Sequence, residues 1–212
     1  MPLGFRLIAA VWLFAGTIGA QPLPKFMGRQ VTIVQPEHTE DGFPKGPASV
    51  CLEGTPKRVC YTAPKDYGNY LKVEAVQLRK DTPALLFSAA TGGVSGWSVS
   101  FALLVGPDLE NILLADFVDN QSQHTFLSEP SISDFAIFLT ATYAAGSDEA
   151  HYGPHRYIIS AYFPKRSYGD GVYLLEDRYM TTRVYDLQGQ VDILKSEEPE
   201  ILRRLSRVVS SH

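Results

Sequence analysis

The densest group of side chains able to do chemistry is Asp148-Glu149-Ala150-His151-Tyr152-Gly153-Pro154-His155-Arg156. Two imidazoles four residues apart beside carboxylates are the ingredients of a divalent transition-metal site. With Glu149, His151 and His155 as ligands, such a site would support metal-assisted hydrolysis. The local chain works against it. His-x-x-x-His converges on one ion when a helix carries it, and Gly153-Pro154 prevents a helix here. On an extended chain the two imidazoles face one side about 13 Å apart, so convergence needs a tight turn at Gly153-Pro154. The competing reading has His155 and Arg156 opening a strand and bonding to neighbouring loops.

Other catalytic patterns are weaker. Ser95 lies in a glycine-rich turn, Gly92-Gly93-Val94-Ser95-Gly96-Trp97, but a nucleophile elbow requires glycine where Trp97 stands. His124 with Asp116 or Asp119 completes a triad only on paper. Gly92-Gly93 is followed by a strand signal rather than a helix, and no lysine is placed to reach a phosphate. Glu176 and Asp177 are adjacent on a strand and point to opposite faces, which rules them out as a facing acid and base. Asp116-Phe117-Val118-Asp119-Asn120 lacks the regular spacing of a calcium loop, and Asp119-Asn120 reads as a turn.

The tyrosines are distributed unevenly: all eleven except Tyr61, Tyr67 and Tyr70 lie between Tyr143 and Tyr185. Tyrosine is rigid and amphipathic, so an exposed row on a sheet makes a platform for sugar rings or extended peptides. On that reading Tyr152, Tyr157, Tyr162 and Tyr173, with Arg156, are the binding residues. Tyrosine is also a favoured strand residue whose cross-strand pairs stabilise sheets.

The elements that must position these residues are mainly strands. Residues 1–20 read as a signal peptide, with Arg6 before an apolar run from Leu7 to Ile18 and a small-residue exit at Gly19-Ala20. Residues 21–47 are rich in Pro and Gly and read as an extended arm with one short strand at Val31 to Val34. Residues 48–212 read as a single β-rich domain. Strands are expected at Leu71 to Leu78 and Ala84 to Ala89, separated by an Asp81-Thr82-Pro83 turn. Trp97, Val99, Phe101, Leu103 and Val105 alternate as a half-buried strand, and Asn111 to Val118 reads as its return strand. A short strand is expected at Gln123 to Leu127, and the run from Phe135 to Tyr143 carries apolar residues on both faces. His155 to Phe163 and Val172 to Tyr185 form a Tyr-rich pair.

One helix is expected, over about 197–209. Ser196 is its N-cap, and Glu197, Glu198 and Glu200 lie in its first turn, where Pro199 is tolerated. Ile201, Leu202, Leu205, Val208 and Val209 make its apolar stripe. Short strands with regular turns and almost no helix between them imply an all-β, mainly antiparallel fold, a β-sandwich or open barrel with one C-terminal helix.

Composition narrows the function. The formal net charge is -4 and no basic tract is present, which argues against nucleic acid as a partner. After residue 20 no segment reaches membrane-spanning length, so no stable membrane anchor is expected. The two cysteines, Cys51 and Cys60, read as a disulfide, because in VCLEGTPKRVCY Cys51 mirrors Cys60, Leu52 mirrors Val59 and Glu53 mirrors Arg58 about a turn. Closing so short a loop contributes roughly 2 to 3 kcal/mol on the chain-entropy model.

From Cys51 to Leu205 the chain resembles exported bacterial β-rich proteins that share the hairpin cysteines, a Gln121-Ser122 step, a His155-Arg156-Tyr157 run and a stretch like Tyr179 to Thr182. The resemblance implies export and a bacterial setting and carries no activity. The expectation is a periplasmic or secreted, non-catalytic binding or interaction module, without a cofactor, for a glycan or an exported protein. The alternative is the metal-assisted hydrolase centred on Glu149, His151 and His155.

Overall fold

The computed structural model describes residues 23, 25–64, 66–92, 98–113, 116–118, 122–144, 153–165, 172–186 and 191–210. Residues 1–20, read as a signal, lie outside the described residues. So do Ser95, Trp97, Asp119, Glu149, His151 and Tyr152.

Three antiparallel sheets and one helix make up the described structure. The first sheet takes β1 (Lys25–Phe26), β2 (Arg29–Val34), β3 (Ser49–Leu52) and β4 (Val59–Thr62) in chain order. The second takes β5 (Asn69–Arg79), β6 (Thr82–Ala90), β7 (Ser98–Val105) and β8 (Glu110–Asn111), and β9 (Asp116–Val118) also pairs with β7. The third takes β10 (Gln123–Leu127), β11 (Ile137–Tyr143), β12 (Tyr157–Lys165) and β13 (Val172–Met180). Helix α1 spans Ile193–Ser210. The strand orders are open paths, so the fold is sandwich-like rather than a closed barrel.

Alternation within the central strands shows how the layers stack. In β6, Leu85, Phe87 and Ala89 pack with Val31, Val50 and Leu52 of the first sheet. The intervening Ala84 and Leu86 pack with Phe138, Tyr162 and Tyr173 of the third. In β11, Phe138 joins that second interface, while Ile137, Leu139 and Ala141 turn away to meet Ile193, Leu194, Ile201 and Leu205 of α1. The order is therefore sheet, sheet, sheet, helix, and the two inner sheets bury both faces. Strands buried on both faces read as continuous apolar runs.

This stacking corrects the expected half-buried strand ending at Val105. Phe101 and Leu103 face the third sheet, but Ala102 and Leu104 face the first and are equally buried. The segment expected as an arm also participates: Phe26 and Val31 are core residues, and β2 pairs with β3 from Val31↔Leu52 to Val34↔Ser49. The following loop packs tightly over Gly68, where a Cβ would lie 2.5 Å from Pro44 Cβ and 2.6 Å from Pro36 Cγ. Only glycine fits that approach.

The cysteine hairpin forms in the expected register, with Cys51↔Cys60 and Leu52↔Val59 as cross-strand pairs. Its sulfurs are bonded, and Arg58 reaches Glu53 at 3.0 Å beside the turn. The turn after β5 is shorter than expected, since Thr82 and Pro83 already pair within β6. The expected return strand from Asn111 to Val118 is split. After β8, Ile112 accepts a bond from Tyr173 N at 2.6 Å, which ties this segment to the third sheet. Asn111 Oδ1 covers the break by accepting from Leu103 N and Leu113 N, both at 3.1 Å.

Helix α1 begins a turn earlier than its sequence signals. Asp192, not Ser196, is the N-cap, its Oδ1 accepting from Lys195 N at 2.9 Å. The first turn carries no acidic residue, and Pro199 lies inside the helix. Glu197 instead accepts bonds from the Tyr179 and Tyr185 hydroxyls, at 3.0 Å from the former, and Arg204 makes two bonds to Asp177 at 2.8 and 2.9 Å. These contacts clamp the helix to β13 and to the segment that follows it. No helix among the described residues is long and apolar enough to cross a membrane.

Candidate functional site

The residues singled out for chemistry are mostly interior. His155 is 1% exposed, and its Nδ1 donates to Gly153 O at 2.7 Å. Its ring lies between Tyr143 and Tyr157, with centroids at 4.8 and 4.7 Å. The sequence offered it as a metal ligand or as the first residue of a strand; the structure places it at an isolated bridge to Tyr185, bonded N to O in both directions. Among the described residues no group of three or more His, Cys, Asp or Glu is arranged to hold a metal ion. Glu149 and His151, the other two expected ligands, lie outside them.

Three of the four tyrosines expected to form an exposed platform are likewise interior. Tyr157, Tyr162 and Tyr173 are core residues. Tyr157 packs beneath α1, Tyr162 lies 6.0 Å from Phe138, and Tyr173 donates its hydroxyl to Ala136 O at 2.6 Å. Burial pushes the Tyr173 phenol well above its usual range. Strand propensity, not display, explains these residues: their rings fill the spaces between layers. Arg156 is half-buried beside them. Tyr152 lies outside the described residues.

A different region has the open geometry of a site. A cleft of about 750 Å³ runs beside β10, bounded by β5 on one side and the start of α1 on the other. That volume lies in the range of ligand sites. Gln123 anchors the helix to the strand: its Oε1 accepts from Ile193 N at 2.8 Å and its Nε2 donates to Val191 O at 2.9 Å. On the helix side the lining is apolar, from Leu127, Leu139, Leu194 and Ile201, with Asp192, Lys195 and Glu198 above it. On the β5 side it is polar, from Lys72, Glu74 and His124.

These three polar residues form a chain. His124 Nε2 meets Glu74 Oε1 at 3.1 Å, and Lys72 Nζ meets Glu74 Oε2 at 3.0 Å. Partial burial pulls the Glu74 carboxyl upward, but the bonds and charges of Lys72 and His124 outweigh it and hold the group below its ordinary range. The His124 ring is braced at 4.8 Å from Phe101 and 6.2 Å from Phe138. Glu74 thereby orients the imidazole, which is one requirement of a general base. A nucleophile is the other: Ser122 and Thr125 line the same cleft, yet among the described residues no hydrogen bond joins either to His124.

The sequence considered His124 only with Asp116 or Asp119, and the structure pairs it with Glu74. That partner is fifty positions away on another sheet. The available local signal was Lys72-x-Glu74, two charges on one face of a strand, and His124-x-Phe126 on another. Neither shows that the faces meet.

A second cavity, of about 640 Å³, lies by the β5–β6 and β7–β8 turns. Its arginine, Arg79, is engaged by Asp81 at 2.8 and 3.0 Å and stacked 4.9 Å over Phe135, so its charge is already satisfied.

Comparison with known proteins adds no neighbour: no family model, no curated protein and no solved structure matches this chain.

Proposed function

We propose that this protein is an exported, non-catalytic binding module whose ligand occupies the cleft along β10. The observation that carries the reading is the cleft itself: it combines ligand-sized volume, an apolar wall and a polar wall whose charges neutralise one another. Such a lining favours recognition over turnover, because among the described residues neither Ser122 nor Thr125, the hydroxyls of the cleft, is hydrogen-bonded to His124. The Cys51–Cys60 disulfide fits an oxidising compartment. Metal-assisted hydrolysis at Glu149, His151 and His155 has one described member, and its ring is enclosed in the core.

The test is retention of the purified protein on immobilised glycan and peptide arrays, with Thr125→Trp as the blocking variant. Thr125 is exposed within the cleft, and tryptophan is well tolerated on a strand. Binding by the parent and its loss in a folded Thr125→Trp protein is the expected result. Equal binding by both would remove the cleft as the site.

A further inference from the structure

We infer that the ligand of this cleft is an extended segment of a partner protein that adds to β10 as a fifth strand of the third sheet. The inference rests on the cleft being the binding site, and it names the class of ligand.

Successive side chains of a strand point to opposite faces, so a cleft opening on one face of a sheet touches alternate residues. This cleft touches Gln123, His124, Thr125, Phe126 and Leu127 in succession. It therefore runs along the edge of the strand. β10 is terminal in its sheet and pairs only with β11 among the described residues. An antiparallel strand bonds to one neighbour through alternate residues, which leaves its remaining N–H and C=O groups facing outward, here into the cleft.

Two other edge strands of the inner sheets, β5 and β13, carry irregularities that β10 lacks. β5 has two register irregularities against β6. β13 has one against β12, and its start is covered by the bridge from Leu113. Bulges and covering segments are the usual protection against strand addition. β10 runs from Gln123↔Ala141 to Leu127↔Ile137 with no shift and no proline.

The walls specify which strand would fit. Alternate side chains of an added strand would face Leu127, Leu194 and Ile201 on one side and the Lys72–Glu74–His124 chain on the other. Apolar residues alternating with small polar ones match these walls. On the helix side Asp192 and Glu198 outnumber Lys195, so a Lys or Arg at the end of the apolar row is complementary. A peptide is favoured over a sugar because Phe126, the aromatic of the lining besides His124, packs 5.1 Å from Phe138 instead of lying open as a stacking plate. Strand addition of this kind draws affinity from main-chain bonds and specificity from alternate side-chain pockets.

The experiment probes the purified protein with an array of short synthetic peptides alternating apolar and polar residues, with and without a terminal Lys, beside a glycan array. The best peptide is then remade with a single backbone N-methyl group at each position in turn. Strand addition expects losses of about tenfold or more at every second position and near-parent affinity between them. Peptide binding without that alternation overturns the inference, and so does binding to glycans alone or to nothing. Binding that persists in Thr125→Trp, or in Lys195→Trp on the exposed helix surface should the first variant not fold, means that the cleft reading itself has failed. Glycan binding that Thr125→Trp abolishes leaves the cleft as the site and removes only the strand.

Discussion

His155 and His124 put the same side chain in two settings. His155 is sealed between Tyr143 and Tyr157 just before β12, with its Nδ1 held by a backbone carbonyl. His124 sits on an edge strand with 23% of its side chain exposed, its Nε2 held by a carboxylate from another sheet. The first has the more suggestive sequence neighbours and the less accessible position. Access, not local composition, separates a structural imidazole from one that a ligand can meet.

The largest expected effect tests the interior half of that contrast. Tyr173→Ala removes a fully buried ring and leaves Ala136 O without its donor, and urea denaturation should show a loss of about 3 to 5 kcal/mol. Tyr173→Phe keeps the ring and should lose only about 1 kcal/mol. A Tyr173→Ala protein as stable as its parent would mean that the tyrosine is displayed after all.

Next, His155→Ala should lose about 2 to 4 kcal/mol by the same measurement, through the cavity left between two tyrosines. His124→Ala should lose about 1 kcal/mol, yet weaken retention on the array that the parent binds. Reversed magnitudes would exchange the roles of the two histidines.

Two pH limbs sharpen the comparison further. Tyr173 and Tyr179 have phenol pKa values raised in the folded state, by burial first and, for Tyr179, by the Glu197 charge and bond as well. Their contribution is complete below about 10, the unfolded value, and is lost as pH rises above it because the unfolded chain ionises first. Titration followed by tyrosinate absorbance should therefore show these phenols ionising together with unfolding.

The acid limb reports the edge and is the smallest effect. The Glu74 carboxyl is held low in the folded state, so its contribution is present above about 4.5 and disappears as pH falls through the lowered value. Partial exposure limits it to less than about 1 kcal/mol. The stability difference between the parent and Glu74→Gln, measured in urea at neutral pH and again in acid below the lowered Glu74 range, should shrink towards zero. A constant difference would show that the Lys72–Glu74–His124 chain contributes no charge-dependent stability.

Local features were legible. The mirror about the Gly54 turn gave the cysteine hairpin because both strands and their register lie within twelve residues. The short strand from Gln123 to Leu127 was visible with its bounds. The helix stripe was visible at Ile201 and Leu205, while its start was misplaced by a turn. The N-cap at Asp192 depends on Gln123 bringing the preceding backbone to β10, and Ser196 looked like a cap only while that docking was unknown. The cleft was not legible, since its two walls come from residues near 74, 124 and 198 that no short-range period connects.

By itself the sequence determined the pairing of Cys51 with Cys60, the antiparallel β character and the single terminal helix, because each follows from alternation or spacing along a few neighbouring residues. Only the tertiary structure decided which faces are covered. Alternation assigns a side chain to one side of a strand but cannot say whether another sheet lies over that side. The same stacking that buried Tyr157, Tyr162 and Tyr173 left the edge of β10 open, with His124 beside Glu74.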